Sequence, residues 1–372
     1  MSNTQKKNVP ELRFPEFEGE WEEKQLGNII KVNSGKDYKH LDKGDIPVYG
    51  TGGYMTSVSE PLSEIDAVGI GRKGTINKPY LLEAPFWTVD TLFYCTPKKE
   101  TDILFILSLF RKINWKVYDE STGVPSLSKQ TINKINRFAP TNKEQQKIGK
   151  FFSKLDRQIE LEEQKLELLQ QQKKGYMQKI FSQELRFKDE NGNDYPDWTN
   201  ERLGEVTTVT MGQSPKSVNY TDNSNDTVLI QGNADIENGL INPRIYTREV
   251  TKLIQKDEII LTVRAPVGKL AMAQINACIG RGVCSIKGDK FLYYFLEWFA
   301  TQNKWIRFSQ GSTFESISGN DIRNIHIKIP VEDERTKIIK LLNSLDVLNS
   351  KTDLKIQNLK QRKQSLLQKI FV

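Results

Sequence analysis

Histidine is nearly missing: His40 and His326 are the only two among 372 residues. A metal or acid–base centre built on clustered imidazoles has no material, and both are read as surface or strand-face residues. Cysteine is as scarce. Cys95, Cys278 and Cys284 are odd in number and lack CxxC spacing, which argues against a disulfide framework or a zinc site and leaves buried free thiols. No run of about 18 apolar residues occurs, and the first thirty residues lack an apolar signal core. The expectation is a soluble, cytoplasmic chain with neither membrane span nor leader. Also missing are a Walker A loop, an NPPY-type tetrapeptide for amino methylation and a serine nucleophile motif. The literal GxGxxG of Gly69, Gly71 and Gly74 is followed by "TINKPYLLEAPFWTV", whose Pro79 and Pro85 break the helix a nucleotide site requires. The chain reads as a binder, not a catalyst.

What is present is length, charge and repetition. With 37 % hydrophobic and 27 % charged residues, a chain of this size predicts two or more packed domains. A formal charge of +7 makes an anionic partner plausible without proving one. "ELRFPEFEGEW" at Glu11 returns at Glu184 as "ELRFKDENGNDYPDW", and each tryptophan, Trp21 or Trp198, is followed five residues later by Leu-Gly. Val32 and Gly35 then match Val209 and Gly212. The segment from Pro140 to Phe181 aligns without a gap to that from Pro330 to Phe371, sharing Glu144 with Glu334, Leu155-Asp156 with Leu345-Asp346 and a closing Gln-Lys-Ile-Phe. A unit near 180 residues is therefore written twice.

Each copy ends in a long helix. Ile148, Phe152, Leu155, Ile159, Leu166 and Leu169 fall at steps of three and four, as do Ile338, Leu342, Leu345, Ile356, Leu359 and Leu366, the seam of a coiled coil. Glu162 and Lys173 interrupt the first seam; Asn349, Thr352 and Lys363 interrupt the second. Thr141 and Glu144 have capping-box spacing, whereas Val331 stands where the second cap belongs, so Asp333 is expected to cap. About 38 residues at 1.5 Å each give about 57 Å, and one apolar stripe of that length needs a partner. Parallel pairing would oblige the second globular segment to carry the chain back over that distance. Antiparallel pairing does not, and it predicts a pseudo-twofold, two-headed arrangement. The expected segments are 1–140 and 183–330, globular, and 141–182 and 331–372, helical.

The globular segments read as strand-rich with some helix, an α+β class. "DIPVYG" pairs with "TVLIQG" and "IDAVGIG" with "DEIILTV" as strands; "ILFILSLF" and "KFLYYFLEWF" are core helices; "NIHIKIP" is a half-buried strand. Matched loops are polar or basic. Lys36 corresponds to Gln213, Ser214 and Lys216; Arg72 and Lys73 answer to Arg264; Tyr49 and Thr51 sit beside Gln231 and Asn233; Ser126 and Ser128 match Ser316 and Ser318. Arginine forks onto guanine, Gln and Asn onto adenine, and Ser, Thr and Lys hold phosphates, so these residues suit DNA; for any one of them plain solvated surface is at least as good a reading.

Two variable segments, each closed by a "PTNKEQQKIGKFFSKLD"- or "PVEDERTKIIKLLNSLD"-type helix, with "QLGNI" and "RLGEV" and the repeated "QKIF", resemble the DNA-specificity (S) subunit of type I restriction-modification systems across essentially the whole chain. The resemblance implies two target recognition domains that read an asymmetric split site in double-stranded DNA. It implies helices that act as spacer and docking platform for two methyltransferase and two restriction subunits. S-adenosylmethionine, ATP and Mg would then serve those partners, and this chain would bind no cofactor. The readings competing with it are a coiled-coil scaffold that binds protein alone and a stand-alone DNA methyltransferase. Because the second ELRF follows "QKIFSQ" directly while the first has no helix before it, the carboxyl end of helix two is expected beside the first ELRF, making the chain pseudo-circular.

Overall fold

The structure, a computed structural model, describes residues 8–305 and 316–372. Helices α1 (Leu26–Ile29), α2 (Ile103–Lys112) and α3 (Lys129–Lys134) precede the long α4 (Asn142–Phe181); α5 (Leu203–Val206), α6 (Lys290–Thr301) and α7 (Gly319–Arg323) precede the long α8 (Glu332–Ile370). Packing divides the chain into two units, Met1–Gln164 with Thr352–Val372, and Lys165–Lys351. Each unit holds one strand-rich segment and a stretch of both long helices.

In the first unit the sheet order is Ile30–Ser34, Leu92–Pro97, Ala67–Gly71, Tyr80–Leu82, beside a three-stranded sheet centred on Ile46–Gly50. Ala67–Gly71 is buried at every position and paired on both sides, as an unbroken apolar run should be. Its counterpart Ile259–Thr262 is likewise fully buried inside a six-stranded sheet of the second unit. In His326–Ile329 the exposed His326 and Lys328 alternate with buried Ile327, and the strand pairs with Thr199–Arg202. The dense apolar runs are α2 and α6, capped by Asp102 and Asp289, whose carboxylates accept from the Phe105 and Leu292 N–H at 2.8 and 3.1 Å.

Both long helices pair antiparallel within each unit. In the first unit Lys355 meets Glu162, Lys360 meets Glu163 and Lys363 meets Asp156, so the higher numbers of one helix face the lower numbers of the other. In the second Lys173 reaches Asp346 at 2.7 Å. Seam residues Ile148, Phe152, Ile159, Ile338, Leu342, Leu345 and Ile356 are buried; Leu155, Leu166, Leu169, Leu359 and Leu366 are half-buried. The charged seam positions Glu162, Lys173 and Lys363 find partners of their own, whereas the Asn349 Oδ1 is buried without a hydrogen bond from the described residues. Lys173 is ringed by Glu297 and Asp346 and lies over the Tyr294 ring. Lys363 shares Asp156 with Arg111.

The capping expectations need correction. Helix α8 starts at Glu332, with the Val331 carbonyl accepting from Arg335 N–H at 3.0 Å; Asp333 lies inside its first turn, where Glu332, Asp333 and Glu334 favour the positive end of the helix dipole. Glu144 does not close a capping box either. Its buried carboxylate accepts from Arg13 Nε at 2.8 Å and Trp21 Nε1 at 3.3 Å, as Glu334 accepts from Arg186 Nε at 2.8 Å and Trp198 Nε1 at 2.9 Å. Burial pushes the Glu334 carboxyl up, but Arg186, Trp198 and the Phe187 N–H together hold it below the usual range.

This is what the repeated ELRF builds. Leu185 N–H donates to the Lys179 carbonyl at 2.9 Å, directly after α4; Leu12 N–H donates at 2.9 Å to the carbonyl of Lys369, at the end of α8. Phe371 then packs on Trp21 and Phe105 as Phe181 packs on Phe291 and Phe295. The amino terminus supplies across space the junction that the second copy makes along the chain.

Candidate nucleic-acid interface

The loops of the two units hang on one repeated frame. Gly35 N–H bonds the Leu92 carbonyl and Gly212 N–H that of Val283; Lys36 bonds Thr88 and Gln213 bonds Ile279; Val89 bonds Tyr49 and Gly280 bonds Ile230; Arg72 bonds Thr91 and Val263 bonds Gly282. Lys73 bridges Ser126 and Arg264 bridges Ser316. These backbone pairs fix an alignment of side chains that loop lengths obscure: Lys36 with Gln213, Lys73 with Arg264, Asp90 with Arg281. They also refine two expected matches. Arg264 answers to Lys73 alone, since Arg72 aligns with Val263, and Tyr49 aligns with Ile230, one residue before Gln231.

In the second unit the frame surrounds a cleft of about 240 Å³ lined by Ser214, Tyr220, Gln231, Asn233, Arg264 and Arg281. The buried Asp235 carboxylate accepts from the Gln231 and Gly232 N–H groups at 2.8 and 3.1 Å, while Lys269 Nζ donates to the Asn233 and Ile236 carbonyls at 3.2 and 2.6 Å. The loop carrying Gln231 and Asn233 is thereby pinned from beneath. Ser214 Oγ accepts from Arg281 N–H at 3.1 Å. Gln213 and Lys216 are exposed beside the cleft; the Lys216 N–H donates to Glu249 at 3.0 Å, and Gln213 is held by its backbone. Of the expected residues of this unit, Ser214, Gln231, Asn233 and Arg264 are brought together. Arg281, Tyr220 and the Asp235–Lys269 support were not singled out from sequence; "GRG" at Gly280–Gly282 was their available signal.

In the first unit Lys36, Arg72 and Lys73 are exposed around the turn from Thr88 to Leu92, to which all three bond through their backbones. Arg72 Nη1 donates to the Asp90 carbonyl at 3.4 Å, and its guanidinium lies 5.8 Å from the Phe93 ring. Tyr49 is half-buried, its ring edge-on to exposed Tyr54 at a hairpin tip that includes Thr51. The serines divide by role. Ser126 and Ser316 sit on the backbone bridges, whereas Ser128 and Ser318 are caps of α3 and α7, accepting from Thr131 and Asp321 N–H at 3.1 and 3.2 Å. Both cap hydroxyls also donate to carboxylates, Glu120 and Asp321, whose negative charge disfavours a phosphate there. Of the segment "GSTFESISGN", residues 311–315 lie outside the described residues. His40 and His326 are exposed, and all three cysteines are buried and free, with burial pushing the Cys284 thiol up to about 12. No described helix is long and apolar enough to cross a membrane.

Known proteins are similar to this chain. The putative type I restriction enzyme MjaX specificity subunit of Methanocaldococcus jannaschii is 30 % identical over 261 residues, 66 % of this chain and 61 % of that protein. The MjaVIII specificity subunit of the same organism is 25 % identical over 312 residues, 77 % of this chain and 71 % of the relative. In structure, the S subunit of a type I restriction-modification system from M. genitalium superposes with a TM-score of 0.68 at 16 % identity, covering 98 % of this chain and 99 % of the other, a likeness of fold. A profile described as the type I restriction modification DNA specificity domain matches residues 18–171 and again 195–361, one copy per repeat. With both copies accounted for, the chain belongs to the type I restriction-modification DNA specificity family.

Proposed function

We propose that this chain is the sequence-reading subunit of a type I restriction-modification complex, each unit reading one half of an asymmetric, split site in double-stranded DNA. The observation that carries this reading is the repeated backbone frame that displays different side chains: Lys36 and Asp90 in one unit, Gln213 and Arg281 in the other. A shared frame places the chains on the same kind of ligand, and unlike side chains select different bases. Residues 1–140 and 183–330 are the recognition domains and 141–182 and 331–372 the paired helices. The chain itself is not the catalyst: adenine methylation with S-adenosylmethionine, and ATP- and Mg-dependent cleavage, reside in partner subunits, two methyltransferase and two restriction chains in the family's arrangement.

Duplex binding measured against salt tests this. Contacts to several phosphates release counterions, so log K should fall linearly with log salt, by about 0.9 per phosphate contacted. A protein-only scaffold would show no such binding. A stand-alone methyltransferase would instead bind S-adenosylmethionine as the isolated chain. Mapping methylated adenines in DNA exposed to the chain with its methyltransferase partner should return one bipartite motif with unlike halves.

A further inference from the structure

The frame separates positions that keep their charge between the units from one that reverses it. Lys73 and Arg264, on the equivalent backbone bridges to Ser126 and Ser316, are both cations. Asp90 and Arg281 are opposite. Their equivalence is set on both sides: Leu92 N–H bonds the Val89 carbonyl at 3.0 Å as Val283 N–H bonds that of Gly280 at 3.2 Å, and Thr91 and Gly282 accept from Arg72 and Val263 at 2.8 and 2.9 Å. A place that holds a phosphate must stay basic or neutral on both ends of a duplex, because the phosphate charge does not vary with sequence. A place that reads a base edge has to change when the half-site changes. Charge reversal on a conserved frame therefore marks 90 and 281 as reading positions, and retained charge marks 73 and 264 as phosphate anchors.

The surroundings of Arg281 agree. Its Cα is clamped: a Cβ at Gly282 would stand 1.9 Å from the Gln231 carbonyl oxygen, and one at Gly280 3.1 Å from Ser214 Oγ. The side chain alone is free to vary. It is exposed, and its guanidinium makes no hydrogen bond or ion pair with the described residues, unlike Arg13, Arg111, Arg186 and Arg335, which hold carboxylates. Around it stand Gln231 and Asn233, amides suited to base edges more than to phosphates.

We infer that Arg281 reads a guanine in the half-site of the second unit through its O6 and N7, that Asp90 at the same place in the first unit accepts from a cytosine N4 amine, and that Lys73 and Arg264 hold phosphates. This rests on the proposed DNA reading. The test is selection from a randomised duplex library by the full-length chain purified with its partner subunits, comparing wild type with R281A, R281Q and R264A. Wild type should select a guanine at one position that R281A no longer prefers, discrimination there falling by about 5- to 150-fold with the rest of the motif intact. R281Q should move that preference to adenine. R264A should leave the motif unchanged, weaken all duplexes alike and lower the salt slope by about one phosphate. If R281A behaves as R264A is expected to, or leaves motif and affinity untouched, the assignment of Arg281 is overturned while DNA recognition stands. If wild type enriches no sequence at all, the DNA reading itself falls.

Discussion

Replacing Arg186 by alanine strands a buried charge, and the structure allows the consequence to be worked out. The Glu334 side chain has no exposed surface and accepts four hydrogen bonds, two from Arg186 at 2.8 Å each, one from Trp198 at 2.9 Å and one from the Phe187 N–H at 3.2 Å. In R186A both charge-assisted bonds go, with the guanidinium that lies 5.7 Å from the Trp198 ring. Losing one partner of a buried pair costs about 3–5 kcal/mol, and since Arg186 is itself one-fifth exposed, water entering its place should hold the figure near the lower end, about 3 kcal/mol. The pH dependence has a definite sign. Glu334 is held below the ordinary carboxylate value, so its contribution to wild-type stability is present above the unfolded value of about 4.3 and is lost as pH falls through the lower folded one. Without Arg186, burial is opposed only by the Trp198 Nε1–H and Phe187 N–H donors and the carboxyl rises, so the variant recovers by protonation and its deficit should narrow from pH 7 to pH 4. Amide hydrogen exchange across residues 185–198 and the first turns of α8, at both pH values, reads this region separately from the other unit. A loss under about 1 kcal/mol at pH 7, or a deficit that does not shrink on acidification, would refute the claim that an ion pair holds this junction.

Two further outcomes follow from the same geometry. A circular permutant joining Val372 to the amino-terminal segment and opened near Ser182 should fold with a circular dichroism spectrum and partner assembly like the parent's, because Leu12 already bonds the end of α8 as Leu185 bonds the end of α4; an aggregated or unassembled product counts against the joint. Glu297 tests the seam cluster: burial, more than Lys173 opposes it, lifts its carboxyl above the usual value, so its favourable contribution exists below about pH 4.3 and fades as pH rises through the raised value. Urea midpoints of the second unit should therefore decline less between pH 4 and pH 7 in E297Q than in wild type, and parallel slopes would remove Glu297 as the cause.

Why some of this is legible in sequence and some is not comes down to which atoms make the contact. The seams could be read because Ile148, Phe152, Ile338 and Leu342 are selected for apolar side chains at a fixed spacing, and burial of side chains writes itself into residue identity. Glu144 and Glu334 are visible as a matched pair, yet the spacing of Thr141 and Glu144 suggests a local cap; the true partners of the two carboxylates, Arg13 and Arg186, lie 131 and 148 residues away, where periodicity carries no information. The candidate interface was least legible. Lys36 and Gln213, or Asp90 and Arg281, are aligned by backbone N–H and carbonyl groups that every residue but proline possesses, so the shared frame leaves no trace in side-chain type. The exception is where a side chain cannot fit at all. A Cβ at Gly35 would lie 2.0 Å from the Val89 carbonyl oxygen and one at Gly212 2.1 Å from that of Gly280, and this position is glycine in both copies. Gly35 and Gly212 stand where the frame leaves no room for a side chain, and Asp90 and Arg281 are free to differ because the frame holds them through their backbone alone.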